Sequence, residues 1–128
     1  MKYGSTFSVV ERYREPTDMK QVRVLIIDPF KRQIYEKHIG QDNVQEMQAI
    51  VGGYIEAVGR YENNDALFVN ENGLYLDDQK FFSFKEFVDQ PLAGVAFLGG
   101  HDDEGIAQDA KMTELDLATK VEWVEPAL

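Results

Sequence analysis

The chain has 128 residues, of which 44% are hydrophobic, 12% are aromatic and 28% are charged, and its formal net charge at pH 7 is −10. A chain of this length and composition is expected to fold as one globular domain with a single hydrophobic core. It contains no cysteine, which excludes disulfides, thiolate zinc sites and cysteine nucleophiles.

The negative charge is distributed unevenly along the chain. Residues 1–40 carry +3, residues 41–100 carry −7 and residues 101–128 carry −6. Because phosphate groups repel a polyanion, this charge disfavours direct nucleic-acid binding. The first residues lack a signal-peptide pattern, and no segment has the length and apolarity of a membrane span. We therefore expect a cytoplasmic protein that does not contact a membrane.

The first part of the chain predicts an arm followed by a hairpin. Residues 1–21 have little hydrophobic periodicity, which indicates a mobile arm or an edge segment ahead of a single domain at residues 22–128. The run V-R-V-L-I-I-D at residues 22–28 is β-branched and mostly apolar, as in a central strand. Pro29 ends this strand, because proline cannot donate to a strand ladder. Residues 34–39 are predicted to return as its antiparallel partner.

The centre of the chain predicts a helix that ends at a glycine and runs straight into a strand. Asp42 is the predicted N-cap, and Gln45 would complete a capping box. Gly52 is expected to adopt the left-handed conformation after the helix, and Gly53 to free the backbone further before a strand at residues 54–58. The apolar face of the helix would consist of Val44, Met47, Ile50 and Val51.

A strong turn signal follows the next apolar run. Residues 67–69 are predicted to form a strand after a polar loop at residues 61–65. The segment N-E-N-G, from Asn70 to Gly73, is expected to form a tight hairpin turn, since Asn-Gly supplies the positive φ values that such turns need. Residues 74–76 would then be the partner strand.

A short second helix is predicted after this hairpin. Ser83 has the properties of an N-cap, and Glu86 is placed to close the capping box. Residues 94–98 are then predicted to be a buried strand that ends at Gly99 and Gly100. The buried face of the second helix would consist of Phe84, Phe87 and Val88.

The last part of the chain predicts one more helix. Thr113 would cap it, and Trp123 would hold it against the body of the domain. Its apolar face would consist of Leu117, Val121 and Val124. Together, the elements predict an α+β fold with an antiparallel or mixed sheet of about five or six strands, covered on one face by the main helix.

The acidic loop from His101 to Glu104 is a candidate for metal binding. Carboxylates suit calcium or magnesium, and an imidazole suits a transition metal. However, adjacent side chains on an extended loop point to opposite sides, and the spacing lacks the alternation of a calcium-binding EF-hand loop. We therefore interpret the loop as a solvated turn and assign no metal ligand.

The sequence contains no arrangement that is typical of an enzyme. It lacks a G-x-S-x-G elbow, and neither double glycine continues into the G-K-[ST] of a phosphate-binding loop. Carboxylates are plentiful, and no pair stands out for glycoside hydrolysis. We therefore predict no catalytic residue, no cofactor-binding residue and no cofactor.

Aromatic and acidic residues supply the predicted contact surface. Phe81 and Phe82 are adjacent, so burial of one ring would expose the other. Asp102, Asp103 and Glu104 would add negative charge to this surface.

Three segments carry a resemblance to a known family: I-V-G-G-Y-I-E-A-V at residues 50–58, V-N-E-N-G at residues 69–73 and L-A-G-V-A-F-L-G-G at residues 92–100. The chain resembles an uncharacterised domain family of bacteriophages, plasmids and bacterial mobile elements over roughly the middle half of its length. The family carries an asparagine-containing turn where this chain has D-D-Q-K at residues 77–80. The resemblance implies a small α+β domain and a mobile-element origin, without a reaction. Backbone geometry is the expected role of Gly52, Gly53, Asn70 and Gly73.

Three functions are compatible with these observations. The first is a non-enzymatic accessory protein that binds a protein partner in a bacterial host, with an acidic DNA mimic as its sharper form. The second is a regulatory domain that binds a small molecule or nucleotide, which requires a pocket with convergent polar groups. The third is a metal-dependent enzyme that uses the loop from His101 to Glu104. The lack of catalytic motifs favours the first.

Overall fold

The fold is built on a six-stranded antiparallel sheet and a smaller three-stranded one. The structure is a computed structural model that describes residues 20–125, so the predicted arm falls outside the described residues except for its last two. The strands are β1 (Gln21–Asp28), β2 (Gln33–Gly40), β3 (Ile55–Arg60), β4 (Ala66–Asn70), β5 (Phe81–Ser83), β6 (Leu92–Ala93), β7 (Ala96–His101), β8 (Ala107–Gln108) and β9 (Glu122–Val124). The helices are α1 (Val44–Val51) and α2 (Glu114–Ala118).

The strand order shows which elements are central. The larger sheet has the order β2-β1-β7-β4-β3, and β8 lies off that row and pairs with the last two residues of β7, Gly100 and His101. The smaller sheet has the order β6-β5-β9. Strands β1, β7 and β4 therefore have neighbours on both edges, which leaves them no free edge for another strand.

The first hairpin forms as the sequence predicts. Strands β1 and β2 pair without a register shift along their whole length, starting with Gln21 opposite Gly40. Asp28 is buried, and its Oδ1 accepts hydrogen bonds from the backbone N–H groups of Phe30 (2.9 Å) and Lys31 (3.2 Å). The aspartate thus satisfies the donors of the turn that follows it, as short polar side chains commonly do.

Strand β7 begins at Ala96, two residues after the predicted start at Gly94, whose φ of 85° does not fit a strand, and it extends beyond the predicted end. Leu98 pairs with β1 on one side and with β4 on the other. The predicted end at Gly99 and Gly100 is wrong, because both residues lie within the strand. A Cβ at position 100 would lie 2.6 Å from the carbonyl oxygen of Asp109, so this glycine allows the close approach of the returning chain.

The core has two parts because the larger sheet is buried on both faces. Helix α1 covers one face, where the buried side chains are Val22, Val24, Ile26, Ile39, Val51 and Phe97. The smaller sheet and α2 cover the other face. The buried side chains on that face include Leu25, Ile27, Leu67, Phe82, Phe84, Leu98 and Leu117. This arrangement explains the nearly continuous apolar sequence of β1. It confirms the predicted α+β domain with one main helix on one face of the sheet.

Helix α1 begins one residue later than predicted. Its N-cap is Asn43, whose Oδ1 accepts a hydrogen bond from the N–H of Glu46 (3.0 Å). Glu46 reaches back to accept from the N–H of Gly40 (2.8 Å) at the end of β2. The predicted roles of Asp42 and Gln45 are therefore wrong: Asn43 caps the helix one residue later, and Glu46 binds the end of β2 instead of closing a capping box.

Residues 74–76 do not form the predicted partner strand. The preceding strand β4 is already paired with β7 on one edge and with β3 on the other, so a hairpin partner has no edge to join. The segment Gly73–Tyr75 instead forms one turn of 3-10 helix.

Ser83 does not cap a helix, because it belongs to β5 in the middle of the smaller sheet. Phe82 and Phe84 are fully buried at the two-residue spacing of an extended chain, and this burial outweighs the local capping signal. Only a single helical turn follows, closed by a hydrogen bond from the N–H of Phe87 to the carbonyl oxygen of Phe84 (3.1 Å).

Helix α2 begins as predicted and ends early. Thr113 is the N-cap, and its Oγ1 accepts a hydrogen bond from the N–H of Asp116 (3.1 Å). The prediction that the helix continues to Val124 is wrong. The helix ends at Ala118, and β9 then places Trp123 and Val124 in the smaller sheet. Of the helices in the described part of the chain, none has the length and apolarity to cross a membrane.

Candidate protein-binding surface

The residues with predicted backbone roles lie around one end of the molecule, where α1 ends and β3 begins. Gly52 ends α1 in the left-handed conformation with φ of 81°. Its N–H donates a hydrogen bond to the carbonyl oxygen of Gln48 (2.8 Å). The predicted glycine stop is therefore confirmed, since only a residue without Cβ adopts this φ at little energetic cost.

Asn70 connects the end of β4 to the end of α1. This buried side chain donates from Nδ2 to the carbonyl oxygen of Val51 (3.1 Å) and accepts at Oδ1 from the N–H of Asn72 (2.7 Å). Gly53 leaves room for it, because a Cβ at position 53 would lie 2.9 Å from Nδ2 of Asn70. Asn70 therefore stabilises this end of the fold through its side-chain hydrogen bonds. The prediction that it forms part of a tight hairpin turn is wrong.

Gly73 anchors the other side of the same loop. It is buried, and a Cβ there would lie 2.9 Å from the carbonyl oxygen of Ala93. Its own carbonyl oxygen accepts a hydrogen bond from Nε2 of Gln79 (3.0 Å). Close packing, rather than a tight hairpin turn, is the reason for glycine at this position.

The loop that these contacts hold carries large apolar side chains into solvent. The exposed fractions are 68% for Tyr54, 66% for Leu74, 84% for Tyr75 and 49% for Leu76. Tyr54 lies at the same end of the sheet, because its carbonyl oxygen accepts a hydrogen bond from the N–H of Glu71 (2.9 Å). We name these four residues the apolar tip. A group of exposed apolar side chains of this kind is typical of an interaction surface.

Exposed carboxylates accompany the apolar tip. Glu71, Asp77 and Asp78 are all exposed, and residues 70–78 contain no basic residue. The surface therefore combines apolar side chains with local negative charge.

Replacing Asn70 by alanine is expected to destabilise the protein by about 2 kcal/mol, because the carbonyl of Val51 and the N–H of Asn72 both lose their buried partner. Chemical denaturation followed by circular dichroism would measure the loss. Asn72→Ala is the matched control, since the Asn72 side chain makes no capping hydrogen bond to the 3-10 helix. Equal stability of the two variants would contradict the structural role of Asn70.

The predicted aromatic contact residues lie in β5 of the smaller sheet. Phe82 is fully buried in the core, and Phe81 is half-buried in β5. Burial of one ring therefore does not leave the other fully exposed. The burial of Phe82 removes it from the contact surface.

The predicted acidic contact residues lie in the loop between β7 and β8. Oδ1 of Asp102 accepts hydrogen bonds from the backbone N–H groups of Ile106 (2.9 Å) and Glu104 (2.9 Å), and these lower the pKa of its carboxyl group. Asp103 and Glu104 are exposed. Within residues 20–125, no group of three or more His, Asp and Glu side chains is placed to hold a metal ion.

A polar cluster that the sequence did not predict connects three distant segments. The hydroxyl of Tyr61 donates to Oε1 of Glu86, and Nζ of Lys120 donates to Oε2 (3.0 Å). The Lys120 Nζ also lies 5.7 Å from the centre of the Tyr61 ring. No local signal could identify this cluster, because its members come together only in the tertiary structure.

The protonation states of this cluster follow from its contacts. Burial, reinforced by the carboxylate of Glu86, raises the pKa of Tyr61 well above its ordinary value of 10.0. The hydrogen bonds from Tyr61 and Lys120 lower the pKa of Glu86. The phenol thus stays a proton donor and the carboxylate stays ionised with both oxygens engaged. The cluster borders a groove of about 310 Å³, and its engaged groups favour a structural role.

We expect the Tyr61 phenol to titrate after pH has risen well past 10.0. Above that pH the unfolded chain releases this proton while the folded protein keeps it, so the stability due to Tyr61 falls as pH rises. Ultraviolet absorbance of tyrosinate would show a late phase that disappears in Tyr61→Phe and persists in the control Tyr54→Phe. A late phase that survives in Tyr61→Phe would contradict the assignment.

A second unpredicted group is the carboxylate of Asp65. It is fully buried and accepts hydrogen bonds from the backbone N–H groups of Lys111 (2.9 Å and 3.1 Å to its two oxygens) and Met112 (2.9 Å). It therefore attaches the segment before α2 to the loop between β3 and β4. The sequence pattern predicts Asp65 only as part of a polar loop.

Comparison with known proteins agrees with the extent of the fold. A family model described as a domain of unknown function (DUF3846) matches residues 19–118, from two residues before β1 to the end of α2. No curated protein and no solved structure shows a significant match. The match covers more of the chain than the three motif segments do and confirms the resemblance to an uncharacterised domain family. The chain belongs to the family of this domain of unknown function, DUF3846.

Proposed function

We propose that the protein is a non-enzymatic accessory protein of a phage or plasmid, and that it binds a protein partner in the bacterial cytoplasm through the apolar tip. The observation that carries this proposal is the exposure of Leu74, Tyr75 and Leu76 on a loop whose base is held by side-chain hydrogen bonds, one of them buried. An anchored loop presents these side chains with less loss of conformational entropy on binding than an unanchored one would.

The composition of the tip indicates what the partner offers. Tyrosine is enriched among the residues that dominate binding energy, because its ring buries a large area and its hydroxyl keeps a polar contact. The neighbouring carboxylates of Glu71, Asp77 and Asp78 would be repelled by an acidic partner. The complementary surface is an apolar cleft with lysine or arginine side chains at its rim.

A DNA mimic would bind its partner through different side chains from those of the apolar tip. A mimic of DNA binds through carboxylates alone, so its affinity falls steeply with salt and depends little on apolar side chains. Binding through the apolar tip is carried mainly by buried apolar area, and salt changes it only modestly. The two forms are therefore separable by substitution.

The test compares affinity-tagged variants in capture from a bacterial lysate, with the bound proteins quantified by mass spectrometry. The tip variant is Leu74→Ser/Tyr75→Ser/Leu76→Ser, and the charge variant is Glu71→Gln/Asp77→Asn/Asp78→Asn. The control is Leu115→Ser, which replaces a leucine that is 82% exposed on α2, away from the tip.

We expect the tip variant to lose about 100-fold in affinity for the captured protein, which corresponds to the loss of a few hot-spot side chains. The charge variant is expected to lose less and to bind with a weaker dependence on salt. The control should bind as the wild type does. Capture that survives in the tip variant and disappears in the charge variant would replace this proposal by the DNA mimic. Absence of any specifically captured protein would contradict both.

A further inference from the structure

A cavity of about 160 Å³ lies on the α1 side of the larger sheet, beside the hairpin of β7 and β8. It is separate from the apolar tip, and most of its lining is apolar. The residues that define it include Val24, Met47, Phe68, Phe97, Gly99 and Gln108.

The cavity exists because β7 carries glycine where a buried strand usually carries a side chain. Gly99 is buried, and a Cβ built there would have no atom nearer than 3.6 Å, where the ring of Phe97 and Cγ1 of Val24 lie. A methyl group would therefore fit without strain. The space is partly open to solvent beside the exposed Gly105, so a ligand can enter it.

The walls of the cavity suit a flat apolar group. The rings of Phe68 and Phe97 stack beside it with their centres 5.0 Å apart and their planes 24° apart. Met47 of α1 contributes a flexible thioether that adapts to the shape of a bound group. Aromatic faces and a methionine together favour an aromatic ring over a branched aliphatic group.

Polar side chains are few and lie at one side. Gln108 and His101 line the cavity, and Nε2 of Gln108 donates to Oδ2 of Asp102 (3.4 Å). This contact orients the Gln108 carboxamide, so that its Oε1 is left to accept a hydrogen bond from a bound molecule. The adjoining loop carries Asp102, Asp103 and Glu104, whose charge repels an anionic ligand.

We propose that this cavity binds a small neutral molecule built on a single aromatic ring that carries one hydrogen-bond donor. The volume sets the size, because cavities of about 150 Å³ lined by apolar side chains accommodate benzene. The ring packs between Met47 and the two phenylalanines, and its donor group reaches Oε1 of Gln108. The cavity is too small for a nucleotide, and the acidic loop disfavours a phosphate.

Three matched probes test the size, the donor and the charge. Fluorobenzene supplies the ring, para-fluorophenol adds a hydroxyl donor, and para-fluorobenzoate replaces it by an anion. Binding is followed by fluorine NMR of the probe and by the methyl resonance of Met47. We expect para-fluorophenol to bind about tenfold more tightly than fluorobenzene, the difference typical of one hydrogen bond, and para-fluorobenzoate to bind more weakly than both.

Two variants locate the binding. Gly99→Val adds a branched side chain beside the ring of Phe97 and the side chain of Val24, and it is expected to weaken binding of both neutral probes at least tenfold. Ala118→Val is the control, because it introduces a valine at an exposed position of α2, on the other face of the larger sheet. Gln108→Ala is expected to remove the advantage of para-fluorophenol and leave fluorobenzene binding unchanged.

Clear outcomes overturn the proposal. If neither neutral probe shifts the Met47 methyl resonance at millimolar concentration, the cavity is not a ligand site. Equal binding of para-fluorobenzoate and para-fluorophenol would refute the preference for a neutral ring. Undiminished binding to Gly99→Val would place the ligand elsewhere. Should that variant fail to fold, Gln108→Ala decides the question by the same comparison of probes.

Discussion

Replacing Asp65 by alanine is expected to lower the free energy of unfolding by about 4 kcal/mol. The substitution leaves the backbone N–H groups of Lys111 and Met112 without their acceptor in a buried position. Hydrogen bonds to a charged group contribute about 1.5–3 kcal/mol each, and two donors are affected. A domain of this kind has a total stability of about 5–15 kcal/mol, so the variant would lose a large part of its margin.

Urea denaturation of the wild type, Asp65→Ala and Asp65→Asn would measure the effect. The asparagine keeps one acceptor oxygen and should lose about half as much stability as the alanine. Asp103→Ala is the control, because Asp103 is exposed in the loop between β7 and β8. A loss below about 1 kcal/mol in Asp65→Ala, as expected for an exposed residue, would show that this carboxylate does not hold the segment before α2.

Replacing Phe84 by alanine is expected to destabilise the protein by about 3–5 kcal/mol, the usual range for removing a buried phenylalanine ring. Phe84 is fully buried between the larger sheet and α2, and its ring centre lies 5.2 Å from that of Phe87. The surrounding side chains come from several elements, so they cannot all move inward to fill the space.

The measurement for Phe84→Ala is again equilibrium denaturation, with the melting temperature as a second readout. The control is Phe30→Ala, which removes the same ring from the turn after β1, where it is 48% exposed. The expected loss of stability in Phe30→Ala is less than about 1 kcal/mol. Similar losses in the two variants would contradict the central position of Phe84 in the core.

The apolar tip and the cavity differ in how much of each was visible in the sequence. Sequence patterns identified Gly52, Gly53, Asn70 and Gly73 as structural residues, and these four residues hold the loop that carries the tip. The tip itself was missed, because residues 74–76 were predicted to be a paired strand. The cavity has no local signature, since it depends on α1, β1, β4, β7 and β8 meeting in space.

The sequence by itself determined the elements whose causes are local. The apolar run of β1, the proline after it, the left-handed glycine after α1 and the Thr113 cap each depend on neighbouring residues only. The single-domain α+β class also followed from composition and periodicity, because these features set the size of the core and the faces that must be buried.

Only the tertiary structure decided where the chain departs from its local preferences. The turn after β4 is not a hairpin, because β3 and β7 already occupy both edges of that strand. The chain from Phe81 to Ser83 is a strand despite a capping signal, because burial of Phe82 and Phe84 stabilises the extended form more than one cap stabilises a helix. Strand pairing and burial depend on residues that are distant in sequence, and so does the buried acceptor role of Asp65.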